Sequence, residues 1–258
     1  TSDLISFSKT FEADAPIGEM QKFLTLFYIL FFATGFMGGA ALLLLWIRLK
    51  SRVLLPLLTF QVLFMVGMGL IVVHYYLADM PDGLTPAVAH TILFLLMGIN
   101  AAVYGIVVVL IRRTRSQPSL REALPVAAQT LAGLVVAKSV ANMIVIAASG
   151  GGNGAALALG GTVAWNLGGH LLSAFAMATF GFTIRGPLNP SEPPSLRPLM
   201  RAYGLCAIAF APIGMIEYAV QSADLAWLRS ISLDHFFYLA WNLLSMSAAI
   251  RLIRPGGA

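Results

Sequence analysis

Residues 20–50 read MQKFLTLFYILFFATGFMGGAALLLLWIRLK, and this stretch decides the fold. Its first 28 residues hold one charge, Lys22, and then Arg48 and Lys50 follow within three positions. At ~1.5 Å per residue, an apolar helix of that length exceeds the ~30 Å hydrocarbon layer of a bilayer. Working outward, the same pattern recurs. We read seven spans, Met20–Ile47, Leu54–Leu77, Pro86–Ile111, Leu124–Ser149, Leu159–Ile184, Leu199–Ala219 and Leu233–Ile253. The expected fold class is an all-α integral membrane protein, a seven-transmembrane-helix bundle. Residues 1–19 form a polar, acidic N-terminal lead, 20–253 the bundle, and 254–258 the start of a cytoplasmic linker.

The connections sort by charge. One set carries Arg48, Lys50, Arg52, Arg112, Arg113, Arg115, Arg121, Arg185, Arg197, Arg201, Arg251 and Arg254 against Glu122 and Glu192. The other set carries Lys9, Lys22 and Arg229 against eight acids, among them Asp79, Asp82, Asp224 and Asp234. Short loops rich in Lys and Arg stay cytoplasmic. The N-terminus is therefore expected outside and the C-terminus inside. The net charge of +5 is this cytoplasmic excess and not a nucleic-acid footprint. Apolar residues make up 59% of the chain and charged ones 10%, which excludes an ordinary soluble domain. A single cysteine, Cys206, excludes a disulfide framework.

The loops read as follows. Asp79–Gly83 is a tight outer turn, and Ser149–Gly154 a flexible outer link. The inner segment Arg185–Pro198 is proline-rich and is expected to be extended and hydrated. Gln221–Ser232 holds Trp227 and is expected to form a short interfacial helix. Small residues recur at Gly35 and Gly39 and again at Gly161, Gly168 and Gly169; internal packing is the favoured reading over a dimer seam.

Polar side chains in hydrocarbon are costly and normally face the bundle interior. Lys138 and Asn142 stand four apart on the fourth span, and Asn100 and Tyr104 four apart on the third. Thr162, Asn166, His170 and Ser173 form one stripe on the fifth, and His235, Tyr238, Asn242 and Ser245 one on the seventh. A polar interior built from these spans is expected. Lys138 lies near mid-depth, too deep to snorkel, so it must find partners or water. Glu217 is the only acid in any span, near the outer end of the sixth, so a water-filled cavity around Lys138 is favoured over a direct pair. The expected ligand-binding residues are Lys138, Asn142, Asn166, His170, Asn242, Tyr238 and Asn100. Lys138 would take a ligand's charge or carbonyl, and the others would orient it. His74, His90 and His235 form an outer-side group suited to pH sensing, with a metal as the less favoured reading. No cofactor is expected. His170 lacks a second histidine at its depth for haem, and the seventh span lacks the lysine that rhodopsins use for retinal. No nucleophile motif, phosphate loop or carboxylate pair appears, so an enzyme is not expected.

One stretch carries a resemblance. Ser232-Leu233-Asp234-His235-Phe236-Phe237-Tyr238-Leu239-Ala240-Trp241-Asn242-Leu243-Leu244-Ser245 is similar to the final helix of bacterial membrane-bound regulators. In those proteins a seven-helix sensor precedes a cytoplasmic LuxR-type helix-turn-helix domain. The core of the likeness is Phe237 to Asn242, and no helix-turn-helix follows within this sequence. The resemblance implies a sensor in the bacterial inner membrane that reports to a DNA-binding output. It also implies a homodimer if that output binds palindromic DNA. The expected partners are membrane lipids and a small or lipid-like ligand, with no direct nucleic-acid contact by this region. Two alternatives stand beside it: a transporter or channel, and a non-catalytic subunit of a larger membrane complex.

Overall fold

The computed structural model describes residues 17–78, 83, 85–115, 122–148, 163–222 and 233–253; the side chains at 17–24, 75, 78, 163–166, 214, 217–222 and 233–238 lie outside the described set. Seven α-helices run through these residues: α1 Ile17–Leu49, α2 Leu54–Ala78, α3 Pro86–Thr114, α4 Ala123–Ala148, α5 Val163–Arg185, α6 Arg197–Ser222 and α7 Leu233–Ile253. A single 3-10 turn, Pro194–Leu196, precedes α6, and no strand occurs among the described residues. Five of the helices contain segments long and apolar enough to cross a bilayer: Thr25–Leu49, Leu54–His74, Pro86–Thr114, Ala123–Ala148 and Leu167–Arg185. The chain is a multi-pass membrane protein of helical-bundle class. Helices are the natural solution here, because hydrocarbon offers no partner for a backbone N–H or C=O and each helix satisfies its own.

Local chemistry sets the helix ends. Thr85 caps α3, its hydroxyl accepting from the Val88 N–H at 3.3 Å, and Pro86 occupies the first turn, where a missing N–H costs nothing. Lys50 closes α1 in the left-handed region at φ 52°, its N–H donating to the Trp46 carbonyl at 2.8 Å. Threonine hydroxyls inside the helices turn back on their own backbone. Thr34, Thr59, Thr91, Thr130 and Thr179 each donate to the carbonyl four residues earlier. These hydroxyls are thereby satisfied without a partner helix.

The helices pack in chain order, each against the next, and α7 returns to pack on α1. The result is a closed ring. Large apolar side chains face outward, with Phe36 71% and Ile144 64% exposed, as expected for surfaces that lie in lipid. The densest core sits at the end where α1, α3, α5 and α7 finish. Leu45, Leu54, Leu110, Ile111, Ile184 and Leu196 there are essentially inaccessible.

This end also gathers the basic connections. Arg48 donates to the Leu252 and Ile253 carbonyls that end α7, at 3.1 and 2.6 Å. Arg113 donates to the Arg52 carbonyl at 2.7 Å, and Arg115 to the Thr183 carbonyl at 3.0 Å. The proline-rich segment departs from its expected hydrated state. Leu188, Glu192 and Leu196 are all buried at four-residue intervals. The Asn189 N–H donates to the Thr114 carbonyl at 2.7 Å, and the Ser51 hydroxyl donates to the Glu192 carboxylate. Prolines cannot donate backbone hydrogen bonds, but the residues between them can, and those bonds dock the strap.

Candidate intramembrane site

Between α2, α3, α5, α6 and α7 lies a half-open cavity of about 200 Å³. Its walls are mainly apolar and aromatic: Phe60, Phe64, Gly67, Met68 and Ile71 from α2, Leu96, Ile99, Asn100, Val103 and Tyr104 from α3, then Met177, Phe210 and Trp241. The aromatic rings form a connected group. Phe60 and Phe64 stack at 6.2 Å, Phe60 meets Trp241 at 5.3 Å, and Trp241 meets Tyr203 at 4.6 Å. Such offset and tilted pairs are favourable beyond the area they bury. No charged side chain lines the cavity among the described residues.

Polar groups enter from one side. The Asn100 amide nitrogen donates to the Ser139 hydroxyl of α4 at 2.8 Å, while its oxygen accepts no hydrogen bond from the described residues. The Tyr104 hydroxyl is 3.4 Å from the Ser173 carbonyl of α5. Gly67 keeps α2 close: a Cβ there would touch the Ile99 side chain at 3.4 Å.

Among the described residues the polar side chains of the stripes fall into two groups. One joins α3, α4 and α5. Besides Asn100–Ser139, the Asn142 amide nitrogen points to the Met97 sulfur at 3.6 Å. Lys138 lays its ammonium over Gly169, where a Cβ would come within 2.6 Å of Nζ. Glycine at 169 is what lets the lysine lie against α5. The second group joins α1, α2 and α7. Gln61 donates to the Asn242 amide oxygen at 2.6 Å, and Asn242 donates onward to the Phe31 carbonyl at 3.1 Å. Both side chains are fully buried. The Ser245 hydroxyl returns to the Trp241 carbonyl at 2.8 Å.

Of the expected ligand-binding residues whose side chains are described, Asn100 is the one on the cavity wall. Lys138 and Asn142 stand beside it, at the junctions of α4 with α5 and α3, and off the wall. Asn242 is committed to the helix junction, both ends of its amide being used. His170, expected in the interior, is exposed on α5. The side chains of Asn166, Tyr238 and His235 lie outside the described residues, as do those of Glu217 and Asp234. The same holds for Thr162, for the outer turn 79–82, for the glycine link, for Trp227, and for the terminal segments 1–16 and 254–258. His74 and His90 are partly buried near the ends of α2 and α3, and no group of three metal-binding side chains forms among the described residues. A Cβ at Gly35 would meet Met65 and Asn242, and one at Gly39 would lie 3.9 Å from Gln61, so this glycine pair faces neighbouring helices of the same ring.

Sequence reasoning passed over Gln61, although a lone amide in an otherwise apolar span was a visible signal. It also passed over the aromatic wall, because Phe60, Phe64 and Phe210 look like any lipid-facing residue until the ring closes.

No protein-family model matches this chain, and no curated protein or solved structure shows significant similarity to it.

Proposed function

We propose that this chain is a non-catalytic seven-span sensor of the bacterial inner membrane, with its N-terminus outside and its C-terminus in the cytoplasm. It takes a small or lipid-like ligand into the cavity between α2, α3 and α7, and α7 carries the change inward. The observation that carries this reading is the cavity itself, walled by five helices and including Trp241 of the helix that leads to the C-terminus. Concave, largely apolar pockets with a few placed polar groups are the usual form of small-molecule sites. The gathering of basic residues at the end where α7 finishes supports a cytoplasmic C-terminus. The likeness of Phe237–Asn242 to the last helix of LuxR-type membrane regulators supports a DNA-binding output beyond this region, and with it a homodimer.

A channel or transporter is less well supported. The core at the basic end, with Leu45, Leu110, Ile184 and Leu196 essentially inaccessible, counts against an open pore there.

The test is the intact mass of the native product from its own host. A product roughly 70–100 residues heavier at the C-terminus leaves room for a helix-turn-helix output. A mass equal to that of this chain removes an attached output and turns attention to flux assays and partner subunits. Orientation is checked separately by labelling single cysteines placed at Ser2 and Ser119 in a Cys206→Ala background. Labelling of the Ser119 position in intact cells contradicts the orientation.

A further inference from the structure

We infer that the cavity selects an uncharged, planar ring bearing a hydrogen-bond donor, such as a phenol, in preference to an anion or an alkyl chain; this rests on the sensor reading above. Three observations converge. The volume, about 200 Å³, fits one ring with a short substituent. A dry site of ~150 Å³ lined by Leu, Ile and Phe is already enough for benzene. The walls are aromatic on several sides, with Phe60, Phe64 and Trp241 arranged as stacked and tilted neighbours, and a ring entering among them finds both faces and edges. An alkyl chain gains contact there but none of that quadrupole preference.

The third observation is polar. Asn100 uses one of its two amide N–H groups on Ser139, and its oxygen accepts no hydrogen bond from the described residues. That acceptor on an apolar wall rewards a ligand hydroxyl, whereas a carboxylate would lose its hydration there with no cation to offset the loss. Lys138, the cation expected to take a ligand's charge, lies instead over Gly169 and off the wall. Nothing among the described lining residues neutralises an anion.

The experiment is fluorine NMR on the full chain in lipid nanodiscs, with four probes. They are 4-(trifluoromethyl)phenol, trifluoromethylbenzene, 4-(trifluoromethyl)benzoate and a trifluoromethyl-terminated octanol. The expected result is saturable binding of the phenol, at least tenfold tighter than the benzoate and tighter than the chain alcohol. Asn100→Leu should bring the phenol down to the level of trifluoromethylbenzene and leave the latter unchanged. Val103→Phe, which fills the cavity, should remove both ring signals without lowering thermal stability. Gly67→Val serves the same purpose if that variant does not fold. Equal binding of the chain alcohol keeps the cavity as a site but overturns ring selectivity. Benzoate binding that is lost in Lys138→Ala overturns the uncharged class. Failure of every probe to bind saturably overturns this inference and the cavity-based sensor reading together.

Discussion

Gly181→Ala should break the seam between α5 and α6, and the size of the effect follows from the backbone geometry. A Cβ at 181 would sit 2.5 Å from the Gly204 carbonyl oxygen, 2.8 Å from Ile208 Cγ1 and 3.0 Å from the Ile208 nitrogen. The reciprocal Cβ at 204 would sit 2.6 Å from the Gly181 oxygen. Carbon–oxygen contacts rarely close below about 3.3 Å. The obstructing atoms are mostly backbone, so no rotamer relieves the clash, and the helices must part by roughly 0.8 Å. A gap of that size forfeits a quarter to a half of each dispersion contact across the seam. Overpacking of this kind costs about 1–3 kcal/mol. Alanine repays up to ~1 kcal/mol in helix propensity at either position. Gly133 supplies the control, since a Cβ there meets nothing within 4 Å. Gly133→Ala should therefore be neutral or stabilising, and Gly181→Ala should lie about 1–3 kcal/mol below it, a gap of ~5–150-fold in the unfolding constant. Reversible unfolding in mixed micelles measures both. Equal shifts for the two variants would refute a backbone-to-backbone contact between α5 and α6.

Three further outcomes follow from other contacts. Asn242→Leu alone strands the buried Gln61 amide and should cost about 1–2 kcal/mol, whereas Gln61→Leu with Asn242→Leu should cost less than the sum of the singles; additivity in a double-mutant cycle contradicts the pairing. Ser51→Ala removes a donor from the buried Glu192 carboxylate and should cost about 1.5–3 kcal/mol. It should also speed proteolysis within 186–196, and an unchanged cleavage rate argues that the strap is held by other means. Arg48→Ala removes two donors from the end of α7 and should raise hydrogen exchange at 250–253 while leaving α2 unchanged.

The helices were legible in the sequence because hydrocarbon thickness is a strong ruler. Residues 20–47 became α1 Ile17–Leu49, and 54–77 became α2 Leu54–Ala78, two of the five helices long and apolar enough to cross a bilayer. Of the charge sorting, the basic side is seen: Arg48, Arg113 and Arg115 lie at one end of the ring. The site was only partly legible. Four-residue spacing correctly placed Asn100 and Tyr104 on one wall. It could not reveal that Asn242 and Lys138 serve different junctions, because spacing fixes a face within one helix and not which neighbour that face meets. The Arg185–Pro198 strap was misjudged through composition. Its prolines suggest solvent, yet Leu188, Glu192 and Leu196 repeat on one side, and that pattern sends them inward.

The junction around α7 also bounds how strongly a ligand in the cavity could act. Trp241 faces the cavity, and Asn242, the next residue, holds α7 to Gln61 and to the Phe31 carbonyl. A ring that displaces Trp241 must disturb its contacts with Phe60 and Tyr203 and load those two hydrogen bonds. Hydrogen bonds between membrane helices average ~0.6 kcal/mol, and each aromatic pair contributes about 0.5–1.5 kcal/mol. Together that is roughly 2–4 kcal/mol of differential contact. Carrying a two-state equilibrium from 1:99 to 99:1 needs about 5.5 kcal/mol. On the sensor reading, the junction therefore supports a graded shift of ~30–1000-fold and not a complete reversal. Asn242→Leu removes the hydrogen-bonded share, so it should raise the basal output and compress the ligand response; an unchanged dose–response curve in a folded variant would take this junction out of the signal path.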